Sequence, residues 1–342
     1  MSISNPRNDS SSSGSGSDSG NYNYQEHNEG TVVRPLSFYA TESARGFSAK
    51  DLVYKAYEGL RPLLEEHTSP GLMAVALDKN GKILNSRWLP SVLGETQSLS
   101  VGRHSCCDLR LPASHADISL RHAMVLFQSL PLAKTSLRVI DLHTPLGLWD
   151  EEGTNIRACE ANGSIFLQIG DVYLIFLLTQ DWKHTGSAHN AYRQIPERIS
   201  VAENEDEEAA GVRETSTVIR RREAAMMFEQ LHKRRYNTGD HLGHLQLSSP
   251  KGFECIPLTP EIADRGLLVG RYERCAFAED HQDERLSRVH LLFIRNGDEL
   301  LAIDTASTNG SYIDDRIFRT HRITRNAKFN LTPHVELSWR NF

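Results

Sequence analysis

The sequence predicts an all-β protein: two antiparallel β-sandwiches joined by a partly helical linker and preceded by a disordered tail. Three observations carry that expectation. Leu291 to Ile294 and Leu300 to Ile303 are short apolar runs separated by Asn296-Gly297, a strong two-strand hairpin signal. Residues 71–89 repeat the arrangement around Asn80-Gly81 and open an earlier sandwich. A pattern of Gly-Arg, then Ser-x-x-His, then an apolar strand occurs twice, 168 residues apart (271 − 103), which points to tandem domains.

In chain order, the 342 residues divide into five stretches. Residues 1–32 make the tail; the first 30 are Ser-, Gly- and Asn-rich and bury too little apolar surface to offset ordering entropy. Residues 33–69 carry a helix, with Ser48 and Asp51 approximating a capping box and Leu52, Ala56, Leu60 and Leu63 on one face. Pro62 predicts a break or kink near its end. Residues 70–180 form the first sandwich, with Ala123 to Phe127 as the apolar strand that follows its Ser-x-x-His. Residues 181–239 form the linker, where the acidic run 203–208 is followed, from Val218 onward, by a helix candidate striped with Ala224, Met227, Phe228 and Leu231. Residues 240–342 form the second sandwich, whose end loops are free to carry a site.

Composition excludes several classes. A formal charge of −6 argues against a nucleic-acid partner. The longest apolar run, Val172 to Leu178, is too short to cross a bilayer, and no charged start followed by an apolar core marks a signal peptide. Five cysteines without a Cys-x-x-Cys pair predict reduced thiols in a cytoplasmic setting, with Cys106-Cys107 used for packing. There is no Gly-x-x-x-x-Gly-Lys and no Gly-x-Ser-x-Gly, and His104, His115 and His122 lack zinc-site spacing. The expectation is a protein that is not an enzyme and takes no metal or cofactor.

One constellation does carry chemistry. Gly270-Arg271 precedes Ser287 by sixteen residues (287 − 271), and Ser287 precedes Thr308 by twenty-one (308 − 287). Each lies at the end of an apolar run, so the three sit on different loops at one end of the second sandwich. A phosphate group needs a guanidinium, hydroxyl donors and free backbone N–H groups converging on it, and those are the residue types supplied. Arg265, Arg271, Arg274, Arg285 and Arg288 cluster in sequence around that end. Each charge-assisted bond to a phosphate is worth about 1.5–3 kcal/mol, so a few suffice for a phosphate-dependent contact.

Residues 266–314, with Gly270-Arg271, Ser287-Arg288-Val289-His290 and Thr308-Asn309-Gly310, resemble the forkhead-associated (FHA) domain, a β-sandwich that binds phosphothreonine peptides. The resemblance implies that Arg271, Ser287 and Thr308 hold the phosphate, Arg288 adds a contact, and Asn309 bonds the peptide backbone. It implies structural roles for Gly270, His290 and Gly310. The earlier copy matches at Gly102, Arg103, Ser119 and His122, but Pro145 and Leu146 replace the threonine and asparagine. Proline lacks an N–H and leucine has no polar group, so a non-binding or altered first domain is expected, although Arg103 and Ser119 could still hold an anion.

The linker segment Glu214 to Arg220 is similar to the phosphorylatable segment preceding the FHA domain in small actinobacterial regulators of 2-oxoglutarate metabolism. By that likeness, phosphorylated Thr215 or Thr217 would occupy the second pocket, within one chain or from a neighbouring molecule. The other reading is a solvated linker ending in a docking helix. Together these imply a cytoplasmic adaptor, bacterial by the likeness of its motifs, that binds phosphothreonine proteins downstream of a Ser/Thr kinase, without nucleic-acid or membrane partners. The competing reading is a scaffold whose sandwiches assemble without phosphate.

Overall fold

The computed structural model describes residues 46–67, 69–130, 135–182, 186–195, 200–202, 218–221, 241–277 and 283–341. The expected tail at 1–32, Thr215, Thr217, and the helix stripe Ala224, Met227, Phe228 and Leu231 lie outside them.

The first half of the chain runs α1 (Ala49–Glu66), β1 (Gly71–Leu77), β2 (Ile83–Pro90), β3 (Thr96–Gly102), β4 (Leu109–Arg110), β5 (Ala123–Ser129), β6 (Thr135–Asp141), β7 (Leu148–Trp149), β8 (Asn155–Ile156), β9 (Ala158–Ala161), β10 (Ile165–Ile169) and β11 (Val172–Leu178). Short helices α2 (Thr179–Trp182) and α3 (Ala188–Gln194) and strands β12 (Ser200–Ala202) and β13 (Val218–Arg221) follow. The second half runs β14 (Gly243–Ser249), β15 (Gly252–Leu258), α4 (Pro260–Arg265), β16 (Leu267–Val269), β17 (Leu291–Asn296), β18 (Glu299–Asp304), β19 (Ser311–Ile313), β20 (Arg316–Phe318), β21 (Thr320–Ile323), β22 (Ala327–Thr332) and β23 (Val335–Asn341).

The strands form four sheets, ordered β2-β1-β11-β10-β7-β8, β12-β13-β9-β6-β5-β3-β4, β15-β14-β23-β22-β19-β20 and β16-β17-β18-β21. Strand periodicity shows how they stack. In β1, Leu72, Ala74 and Ala76 face the second sheet, while Met73, Val75 and Leu77 face α1. In β5, Ala123, Val125 and Phe127 fill the N-terminal sandwich, while Met124 and Leu126 turn away from it. In β17, Leu291 and Phe293 fill the C-terminal sandwich, while Leu292 and Ile294 turn away. Those outward residues meet: Met124, Leu126, Ile140 and Leu142 pack with Leu268, Leu292, Ile294, Leu301 and Ile303 in one apolar cluster. The result is a five-layer stack of helices and four sheets, in which the two central sheets are buried on both faces.

Polar bonds seal the seam between the sandwiches. The buried Arg138 donates from Nη1 to the Arg295 carbonyl at 2.7 Å and from Nη2 to the Asp264 carbonyl. Ser98 and Thr320 share a hydroxyl bond of 2.7 Å, and Arg319 pairs with Asp108 at 2.6 Å.

The Asn80-Gly81 and Asn296-Gly297 turns both form, with φ of +81° and +59° at their glycines. Ser48 caps α1 by accepting from the Asp51 N–H at 3.2 Å. Two expectations need correcting here. The helix runs through Pro62 to Glu66 instead of breaking, with Pro62 on its exposed face, and Leu64 rather than Leu63 is the fully buried leucine of the last turn. Val218–Arg221 is a strand, not the start of a helix: it pairs antiparallel with β9 and parallel with β12. β-Branched Val218 and Ile219 favour extended backbone, and β9 offers an edge with unpaired peptide groups.

Candidate functional site

The site lies where β16 ends. The His290 N–H donates to the Val269 carbonyl at 2.8 Å, and the Arg271 and Tyr272 N–H groups donate to the Ser287 and Arg288 carbonyls at 3.2 and 3.0 Å. Two loops are thereby laid side by side. Gly270 makes this possible, since a Cβ there would sit 2.3 Å from the Arg288 carbonyl oxygen. Arg271 is half-buried, and its Nε donates to the Leu286 carbonyl at 2.9 Å. That bond fixes the plane of the guanidinium while its two terminal nitrogens have no hydrogen-bond acceptor among the described residues.

The third loop is held by a carboxylate. Asp304 accepts from the Ser307 N–H at 2.7 Å and from the Ser307 and Ser311 hydroxyls at 2.6 Å each. The loop turns through Ala306, at φ +63°, and Gly310, at φ +79°. It presents Thr308 beside Ser287: the Thr308 N–H donates to Ser287 Oγ at 3.0 Å, and the two hydroxyl oxygens lie 3.5 Å apart. Asn309 is exposed, with its Nδ2 donating to the Arg285 carbonyl at 2.8 Å. Arg288, half-buried, lies next to Ser287 on the second loop.

His290 ties these loops together from beneath. It is wholly buried; its Nδ1 accepts from the Ser287 N–H at 3.2 Å and its Nε2 bonds the Gly310 carbonyl at 3.2 Å. The pair of bonds specifies a neutral ring protonated on Nε2. Burial pushes its pKa down to about 4, opposed in part by the nearby Asp304 carboxylate.

The structure thus places Arg271, Ser287, Thr308 and Asn309 on adjoining loops, with Gly270, His290 and Gly310 supporting them, and Arg288 follows Ser287 in the same loop. The sequence cluster of five arginines does not converge as a whole. Arg274 instead donates to the His143 and Arg121 carbonyls of the N-terminal sandwich, at 3.4 and 3.3 Å.

Comparison with known families decides the class of this unit: residues 267–332 match the family model of the FHA domain. The C-terminal sandwich carries an FHA domain. The search of curated proteins finds no match. Among solved structures, the chain is similar to the Slr1951 protein from Synechocystis sp., at 20% identity over 29% of this chain and 98% of that one, with a TM-score of 0.25. It is also similar to the Rv1747 FHA-1 domain from Mycobacterium tuberculosis, at 22% identity, 29% and 96% coverage and a TM-score of 0.24. A third is the FHA domain of the CT664 protein from Chlamydia trachomatis, at 18% identity, 29% and 98% coverage and a TM-score of 0.25. At those scores the structural alignments add nothing to the family match, which itself stops short of the N-terminal sandwich.

Bond by bond, however, the N-terminal sandwich repeats the FHA domain's loop scaffold. Arg103 Nε donates to the Ile118 carbonyl as Arg271 does to Leu286. His122 Nδ1 accepts from the Ser119 N–H at 3.3 Å, and its Nε2 bonds the Gly147 carbonyl at 2.9 Å. Gly102 faces the Leu120 carbonyl at 2.2 Å from its would-be Cβ, and Cys107 and Cys275 bond equivalent carbonyls through sulfur. Asp141 anchors Thr144 as Asp304 anchors Ser307, and His143 takes the positive φ of Ala306, at +56°.

The divergence lies at the rim. Pro145 stands at the place of Thr308, and Leu146 folds back against the sandwich core where Asn309 is exposed. Arg103 is buried, and its Nη2 has no hydrogen-bond partner.

Sequence reasoning missed the anchoring carboxylates. The repeated spacing, Asp141-x-x-Thr144 and Asp304-x-x-Ser307, is the signal that could have found them. It also missed the seam. Among the described residues no cluster of three metal-ligating side chains occurs, and no helix is long and apolar enough to cross a membrane.

Proposed function

We propose that this chain is a non-enzymatic, cytoplasmic adaptor whose C-terminal FHA domain binds phosphothreonine peptides on proteins modified by a Ser/Thr kinase. One observation supports the reading: the Arg271 guanidinium is held by the Leu286 carbonyl, on the loop laid beside that of Ser287, whose hydroxyl oxygen lies 3.5 Å from that of Thr308. Arg271 and Arg288 supply charge to the phosphate, Ser287 and Thr308 supply hydroxyl donors, and Asn309 exchanges its bond to Arg285 for one to the peptide backbone. The N-terminal sandwich takes a supporting role, because Pro145 and Leu146 stand where the second sandwich has Thr308 and Asn309.

Phosphorylated Thr215 or Thr217 is the internal ligand in this reading, bound in cis or from a second copy. Thr217 directly precedes β13 in sequence and lies 54 residues before Arg271 (271 − 217).

The test is capture of a degenerate peptide library with a fixed phosphothreonine by the full chain, against unphosphorylated and phosphoserine libraries. Arg271→Ala should abolish capture while leaving the thermal melt intact. Equal capture of all three libraries would favour a phosphate-independent scaffold. Replacing Thr215 and Thr217 together by Ala should raise library capture after kinase treatment; an unchanged profile rejects the internal ligand.

A further inference from the structure

The two sandwiches exchange arginines, and the carbonyls that receive them lie on corresponding loops. From the N-terminal sandwich, Arg121 crosses the seam and donates from Nε to the Ala306 carbonyl at 2.9 Å. From the C-terminal sandwich, Arg274 crosses the other way and donates to the His143 carbonyl at 3.4 Å. Ala306 and His143 are the left-handed residues of the two carboxylate-anchored loops, at φ +63° and +56°. Arg274 also donates to the carbonyl of Arg121, at 3.3 Å, so the two crossing arms are linked.

The arms differ in what lies beyond the carbonyl. Arg121, only 4% exposed, reaches on with Nη2 to Thr308 Oγ1, at 3.4 Å. The equivalent loop of the N-terminal sandwich has Pro145 at this place and no hydroxyl to receive a donor. Thr308 Oγ1 lies within 3.5 Å of two donors, Arg121 Nη2 and the Ser287 hydroxyl. An oxygen with both lone pairs directed at donors has its single O–H left to give to a ligand. The guanidinium also brings a positive charge, shielded from water by the seam, to within one side chain of the rim.

We infer that Arg121 of the N-terminal sandwich is a positioning residue of the C-terminal phosphothreonine site, acting through Thr308. It sets the direction of the Thr308 hydroxyl and completes the cradle from the neighbouring unit, which makes the N-terminal sandwich part of the binding site without a ligand of its own. This inference rests on the phosphothreonine reading above.

The experiment is a double-mutant cycle in the full chain, probed with the degenerate phosphothreonine library. Arg121→Gln should weaken binding by about tenfold, and Arg121→Lys should recover part of that loss, since a charged hydrogen bond is worth about 1.5 kcal/mol or more. In a Thr308→Ala background, Arg121→Gln should cost less than about twofold, because the group it orients is gone. A purely structural arm would weaken both backgrounds equally, and that result overturns the inference, as does unchanged binding by Arg121→Gln alone. If the wild-type chain captures no phosphothreonine peptide, the underlying reading falls and takes this one with it. Wild-type capture abolished by Arg271→Ala but indifferent to Arg121 overturns only the latter.

Discussion

The seam between the sandwiches can be tested by cutting three carbon atoms out of it. Ile294 is fully buried and touches the N-terminal sandwich's cluster through β17's outward face. Ile294→Ala removes about three methyl or methylene groups, worth ~0.8 kcal/mol each in transfer energy. The unfilled cavity adds to this, so the total is about 3–4 kcal/mol. With a urea dependence of about 3 kcal/mol per molar for a chain of this size, the midpoint falls by ~1 M. The four tryptophans make the readout local. Trp339 lies in the C-terminal core, whereas Trp88, Trp149 and Trp182 belong to the N-terminal half. In a Trp339→Phe background, fluorescence reports the N-terminal half alone. If the seam couples the units, that signal shifts to lower urea although no N-terminal residue has changed. An N-terminal transition that stays at its original midpoint would refute the coupling.

Two further outcomes follow from the loop scaffold. His290, buried and neutral with a pKa near 4, has an unfolded value of about 6.5. Between those values the unfolded chain holds a proton that the folded chain does not, so stability falls as pH drops from about 6.5 toward 4, at up to ~1.4 kcal/mol per pH unit. His122, lowered by the same burial, acts in the same direction, and His290→Gln should flatten part of that slope in urea titrations between pH 4 and 7. Gly270→Ala would drive a methyl group to 2.3 Å from the Arg288 carbonyl. It should displace the Ser287 loop and reduce phosphothreonine-library capture more than tenfold, and wild-type capture by this variant would contradict the close approach.

The sandwiches were readable because short apolar runs mark their strands and Asn-Gly turns punctuate them. The candidate site's first two loops were legible because Gly-Arg and Ser-x-x-His lie in short segments whose spacing two copies share. What lay beyond the sequence is partnership between distant segments. Arg121 and Thr308 are 187 residues apart, and nothing local marks the bond. The continuous apolar runs at 123–127 and 291–294 did state that both sheet faces are buried, as in sheets covered on two sides, but not what covers them. Val218–Arg221 shows the opposite failure: the helical stripe further along obscured a local preference for strand that an available edge decided.

The outward face of β17 and β18 has a consequence for where this module ends. Leu292, Ile294, Leu301 and Ile303 are dry only because another sheet lies on them. A fragment cut at residue 241 would keep every loop of the candidate site, yet carry a bare greasy flank and lose the Arg121 bond to Thr308. Its natural remedy is to stick to a copy of itself. The family boundary, drawn by motif, therefore falls inside the physical unit, which spans both sandwiches.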